Sequence, residues 1–147
     1  MPKEGKKKRR GLRITLIVLA SIVGLLVVIS LVGLAVTEPE RREGRDLPIA
    51  AVDFKAVPDG TYRGKYAGGS RGWRANEVKV TVANGKVTDI EIVDSEVKPI
   101  PTAVVDPLFK HVIAAQSLQV DTISQATITS KSYLKSVEDA LTSRSSF

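Results

Sequence analysis

Val78-Lys79-Val80-Thr81-Val82-Ala83-Asn84-Gly85-Lys86-Val87-Thr88-Asp89-Ile90-Glu91-Ile92 reads as two alternating strands around a turn. Successive side chains of a strand point to opposite sides, so Val78, Val80 and Val82 share one face of the first strand, and Ile90 and Ile92 share one face of the second. A two-residue turn at Asn84-Gly85 would set Val80 opposite Asp89 and leave the two apolar sets on opposite faces. A three-residue loop Asn84-Gly85-Lys86, with one residue in the left-handed region, instead sets Val80 opposite Ile90 and Val78 opposite Ile92. It also places Lys79 across from Glu91 on the wet face. The second arrangement buries one continuous face and is the expected one. Asp89 and Glu91 are then solvated strand residues rather than a catalytic carboxylate pair.

Working outward, the hairpin spans about 73–94. Asp59-Gly60 marks a turn, Thr61–Tyr66 a short alternating strand, and Ala67-Gly68-Gly69-Ser70-Arg71-Gly72 a flexible loop. Beyond the hairpin, Pro99 and Pro101 mark an extended crossing. Asp106-Pro107 reads as an N-cap followed by proline at the first helical position. That predicts a helix over about 107–116 with Leu108, Phe109, Val112 and Ile113 inward. A last helix over about 131–142 buries Tyr133, Leu134, Val137, Ala140 and Leu141 at helical spacing. The expected fold class is α+β: a small antiparallel sheet packed against two helices, within residues 59–147. His111 has no second histidine or carboxylate at ligand spacing and reads as a surface residue, not a metal ligand. Trp73 and Tyr66 read as core and strand residues, with stacking on a flat ligand the rival use.

Further out, the chain changes character. From Ile14 to Val36 there are 23 residues without a charge. At about 1.5 Å per residue such a helix covers a hydrocarbon core of about 30 Å. The run is longer than the apolar part of a cleavable signal and lacks an Ala-x-Ala exit, so an uncleaved transmembrane helix over 14–36 is expected. Residues 37–58, of mixed charge with Pro39, Gly44, Pro48 and Pro58, read as a linker.

The net charge of +6 on 147 residues belongs entirely to one end. Residues 1–13 hold seven basic side chains against Glu4 alone, and residues 14–147 carry fifteen of each sign. A basic nucleic-acid-binding domain is thereby excluded as a reading. The basic tail is instead a topology determinant. Because Lys and Arg stay cytoplasmic, 1–13 is expected in the cytoplasm and the C-terminal domain outside the cell membrane. The absence of cysteine removes disulfides, thiolate metal sites and a Cys nucleophile.

Chemistry concentrates in Asp121-Thr122-Ile123-Ser124-Gln125-Ala126-Thr127-Ile128-Thr129-Ser130, which carries five hydroxyl side chains ahead of a helix. Free N–H groups and a positive partial charge at a helix start favour a phosphate, and small Ala126 lets the backbone approach it. A hydroxyl-rich cap with no ligand has the same composition.

The order Asp121-x-x-Ser124-x-Ala126-Thr127, then Thr129-Ser130, resembles the signature of the FMN-binding domain family, which includes the flavin subunits of Rnf-type and sodium-pumping NADH:quinone reductases. Asp59-Gly60-Thr61-Tyr62, Asn84-Gly85-Lys86-Val87, Ile90-Glu91-Ile92-Val93 and Gln116-Ser117 are similar to the family's pattern too. The resemblance implies FMN held by a phosphoester on Thr127 and installed by a flavin transferase that uses FAD. Asp121, Ser124, Gln125, Ala126, Thr129 and Ser130 would shape the phosphate site. It implies an electron carrier with redox partner proteins of its own, rather than a complete enzyme. Gln125 stands where the family usually has Gly, which matters if that position needs a positive φ. The departure favours an alternative, an exported interaction or sensor domain of the same fold without flavin.

Overall fold

The computed structural model of the protein describes residues 4–145, with side chains from Arg13 onward. Met1, Pro2 and Lys3 of the basic tail, and the side chains of the rest of it before Arg13, lie outside the described residues. So do the last two residues of the 59–147 domain. Two compact units are distinguished, Met1–Pro39 and Glu40–Phe147. The first is one helical stretch of α1 (Glu4–Asp46). Its apolar window has a mean hydropathy of 2.9 and is not buried at all, so it is long and apolar enough to cross a membrane.

The second unit is α+β. Its sheet runs β1 (Gly60–Tyr66), β2 (Asn76–Ala83) and β3 (Lys86–Ser95), all antiparallel in the order β1-β2-β3. Two helices, α2 (Thr102–Ala115) and α3 (Thr127–Ser143), follow. Val78, Val80 and Val82 are buried beneath Tyr133, Leu134, Val137, Ala140 and Leu141 of α3, as their periods require. Phe109 of α2 meets Tyr133 edge-on, with ring centroids 6.1 Å apart.

The hairpin has the expected pairings, Val80 with Ile90, Val78 with Ile92 and Lys79 with Glu91, but a different turn produces them. Asn84 (φ 55°) and Gly85 (φ 68°) are both left-handed, and Ala83 pairs directly with Lys86. This is a two-residue turn of the mirror-image type that suits twisted hairpins. The phase is corrected one step later by a bulge. Val82 pairs with Val87 and Thr81 with Asp89, which leaves Thr88 as the extra residue. The bulge also turns Val87 into the core, where it is 1 % exposed.

Three expectations about element ends are corrected. Asp106-Pro107 does not start α2; the helix begins at Thr102, and Pro107 lies inside it. Burial of Val105 extends the inward stripe Val105, Leu108, Phe109, Val112 back by one turn, and that packing outweighs the hydrogen bond proline cannot make. Helix α3 starts at Thr127 rather than near Lys131, with the Ser130 N–H donating to the Ala126 carbonyl at 2.8 Å. The stretch 37–58, read as a linker, is structured. Helix α1 runs on to Asp46, and Phe54 and Val57 enter the core through a short 3-10 turn at Phe54–Ala56. Glu138 of α3 accepts the Ala50 N–H at 2.9 Å and so pins the same stretch.

Candidate anion site at the start of helix α3

The start of α3 is positioned from below and from the side. From below, β1 and β2 carry the body of the helix, and Ser136 Oγ donates to Asn76 Oδ1 at 2.6 Å in the buried seam between them. Asn76 in turn donates from Nδ2 to the Arg74 carbonyl at 2.9 Å, fixing the residue just ahead of β2. From the side, the end of α1 lies against the first turn of α3. Gly44 faces Ile128 so closely that a Cβ there would meet Ile128 Cγ2 at 2.3 Å. The Lys131 ammonium donates to the Arg45 carbonyl across the same contact.

Ala126 is the residue before the first helical turn and provides no side-chain cap, so the leading N–H groups of α3 are not capped by its side chain. Thr127 is the first helical residue and is exposed, with Oγ1 3.5 Å from the Thr122 hydroxyl. Gln125 has φ 65°, the left-handed conformation that glycine takes without strain. Ser130 is fully buried, and its hydroxyl accepts the Ile123 N–H at 3.2 Å. Its job there is to shape the loop rather than to face outward.

Gln125, Ala126, Thr127, Ile128 and Thr129 line one cavity of about 340 Å³ together with Arg41, Arg45 and Arg74. Asp121 and Ser124 are exposed and lie outside that lining. The three arginines escaped the sequence reading. Arg41 and Arg45 are four residues apart and so share a helix face, but Pro39 and the mixed charge made this stretch look like linker. A guanidinium is permanently charged and presents a planar fork of donors suited to phosphate oxygens. Helix start and arginines therefore act in the same sense: the cavity favours an anion.

A slightly larger cavity, about 400 Å³, opens at the end of the sheet where Lys65 and Tyr66 of β1, Asn76 and Glu77 of β2 and Asp94 of β3 lie together. Lys65, Glu77, Asp94 and Glu96 line it, so carboxylates outnumber cations there and a phosphate is disfavoured. Tyr66 borders it too. Its phenol is held above the ordinary value, first by burial and then by the nearby carboxylates of Glu43 and Glu40. Trp73 is neither core nor strand. It is 45 % exposed before β2, with the Arg71 guanidinium 5.1 Å from its ring. His111 is exposed on α2, and no group of three or more metal-ligating side chains occurs among the described residues.

Fold and site together define a small α+β domain with an anion cradle at a helix start, lined by the hydroxyl residues Thr127 and Thr129. Residues 72–142 match the family model of the FMN-binding domain. A search of curated proteins finds no match. The matched range takes in β2, β3, both helices and Arg74, while Arg41, Arg45 and β1 lie before it. The FMN terminal phosphate fits the residues present: cationic side chains, a helix start, and the Thr127 hydroxyl in one cavity.

Proposed function

We propose that the chain is a membrane-anchored, extracytoplasmic flavoprotein that carries FMN on Thr127 and relays electrons between redox partner proteins. The observation that carries the reading is the exposed Thr127 hydroxyl in the first turn of α3, inside a cavity with three arginines and within the family-matched range. When bound, FMN supplies one- and two-electron redox chemistry through its isoalloxazine ring. The chain's own residues attach and orient it. Thr127 Oγ1 would be the oxygen that takes the FMN phosphoryl group of FAD from a flavin transferase. The new O–P bond would form as the P–O–P linkage breaks, with AMP leaving and the hydroxyl proton passing to solvent. The N–H groups at the start of α3 would face the phosphate oxygens. A covalent link suits a flavin held outside the cell, where a dissociated one is lost.

The apolar run Ile14–Val36 supports anchoring, and the seven basic residues before it support a cytoplasmic N-terminus. Alkaline phosphatase fused after residue 147 should therefore be active in intact cells; an inactive fusion of normal abundance overturns this topology.

The decisive measurement for the flavin is the intact mass of the full chain co-expressed with a flavin transferase. An FMN phosphoester adduct is expected, located on the peptide that contains Thr127. An unmodified mass, with a working control substrate in the same cells, overturns covalent attachment. The second reading, an exported interaction or sensor domain without flavin, draws on Gln125 at φ 65° in place of glycine. It predicts colourless protein, whereas the carrier is yellow.

A further inference from the structure

The FMN-binding family match begins at residue 72, yet two of the three arginines in the phosphate cavity come from the end of α1, some thirty positions earlier. We infer that Arg41 and Arg45, together with Arg74, form a clamp for the flavin's phosphate, so that the helix before the family domain is part of the cofactor site. The inference rests on the FMN reading above and assigns it a second set of residues.

Three features of the second unit support the clamp. Arg41 and Arg45 stand one helical turn apart and line the same cavity as Thr127. Their helix is fixed against α3 by the contact of Gly44 with Ile128, which leaves no room for a side chain at 44. Glu40, 3 % exposed, sits one residue before Arg41, with Oε1 3.9 Å from Arg74 Nη1, and so ties the third guanidinium to the same end of α1. The geometry thus brings two sequence-distant cationic segments to one helix start. The flavin's phosphate is a ligand that can use these cations together, because guanidinium forks match phosphate oxygens. Riboflavin, which has the same ring and no phosphate, gains nothing from them.

The test compares FMN and riboflavin binding to the detergent-solubilised full chain, produced without a flavin transferase so that no flavin is attached. Wild-type protein should prefer FMN to riboflavin, with quenching of flavin fluorescence as the readout. In the Arg41→Gln/Arg45→Gln chain, FMN affinity should fall by about tenfold or more, as expected for lost charge-assisted hydrogen bonds, while riboflavin affinity stays unchanged. Arg41→Gln alone should give a smaller loss of the same kind, and serves if the double variant unfolds. Arg41→Lys/Arg45→Lys should restore part of the preference. A preference for FMN that survives the neutral substitutions overturns the clamp and leaves the FMN reading intact. Loss of binding to phosphatidylglycerol vesicles with the flavin preference unchanged also overturns it, by assigning the arginines to lipid headgroups. Wild-type chain that binds neither flavin fails the FMN reading itself, and the clamp with it.

Discussion

Gly64 in β1 lies so close to Ser136 in α3 that a Cβ on Gly64 would stand 2.0 Å from the Ser136 carbonyl oxygen and 2.4 Å from the Ala140 nitrogen. Helix backbone rests directly on strand backbone there. That contact sets the height of α3 over the sheet, and through the rigid helix it sets the position of Thr127, nine residues before Ser136 in α3.

Gly64→Ala should therefore be severely destabilising, by about 3 kcal/mol, because the obstructing atoms are backbone and cannot rotate aside. Urea unfolding of the purified chain measures it. A loss below about 0.5 kcal/mol would mean that α3 sits further from β1 than described.

Gln125 holds φ 65°, so its substitutions should order by their tolerance of the left-handed region. Gln125→Gly should be neutral or stabilising by up to about 1 kcal/mol, since relief of backbone strain is partly offset by the freer unfolded chain. Gln125→Val should lose about 1–2 kcal/mol, because a β-branched side chain crowds that conformation. The same pair of variants reports on attachment. In-gel flavin fluorescence should be at least as strong in Gln125→Gly as in wild type, and weaker in Gln125→Val.

Thr127 is exposed and its hydroxyl meets only Thr122, so its replacement should alter chemistry and spare the fold. Thr127→Val should abolish covalent fluorescence while changing the unfolding midpoint little. Thr127→Ser retains the nucleophilic oxygen and should retain some label. Full labelling of Thr127→Val would move the attachment point to a neighbouring hydroxyl.

Asp59 accepts the Asn84 N–H at 2.8 Å and the Gly85 N–H at 3.0 Å, tying the start of β1 to the hairpin turn. These bonds, Gly85's first, hold its carboxyl below the ordinary value of 3.8. A lowered folded pKa means that the folded state releases the proton more readily than the unfolded one. The resulting stability is fully present above pH 3.8 and is lost as pH falls through the lower folded value. Asp59→Asn should flatten the acid limb of a stability–pH profile in that window. An unchanged acid limb would show that the carboxylate's bonds do not persist in solution.

The hairpin shows how far local pattern reaches. Alternation and the demand for one buried face were enough to pair Val80 with Ile90 and Val78 with Ile92, because a slip by one residue exposes every valine. The turn was not legible. A three-residue loop and a two-residue turn followed by a bulge at Thr88 give the same pairing, and only the energies of the assembled sheet choose between them. Val87 was missed for the same reason: simple alternation puts it on the wet face, and the bulge brings it inside. Gln116 was legible as a motif residue, but its work is seen only in the fold. Its side-chain amide accepts the Val87 N–H at 2.9 Å and donates to the Val87 carbonyl at 2.8 Å, completing the ladder at the edge of β3.

By itself the sequence determined the apolar run of α1, the α+β class, the inward faces of the strands and of α3, and the hydroxyl run that opens α3. All of these are local: each follows from side-chain period, composition or the order of a few adjacent residues. Tertiary structure alone decided that α2 begins a turn before Pro107, that Gln125 needs a positive φ, and that Arg41 and Arg45 meet Arg74 beside Thr127. The reason is physical. A helix end is fixed by what its last turn can bury. An anion site is likewise the sum of charges that become neighbours only when Gly44 closes on Ile128.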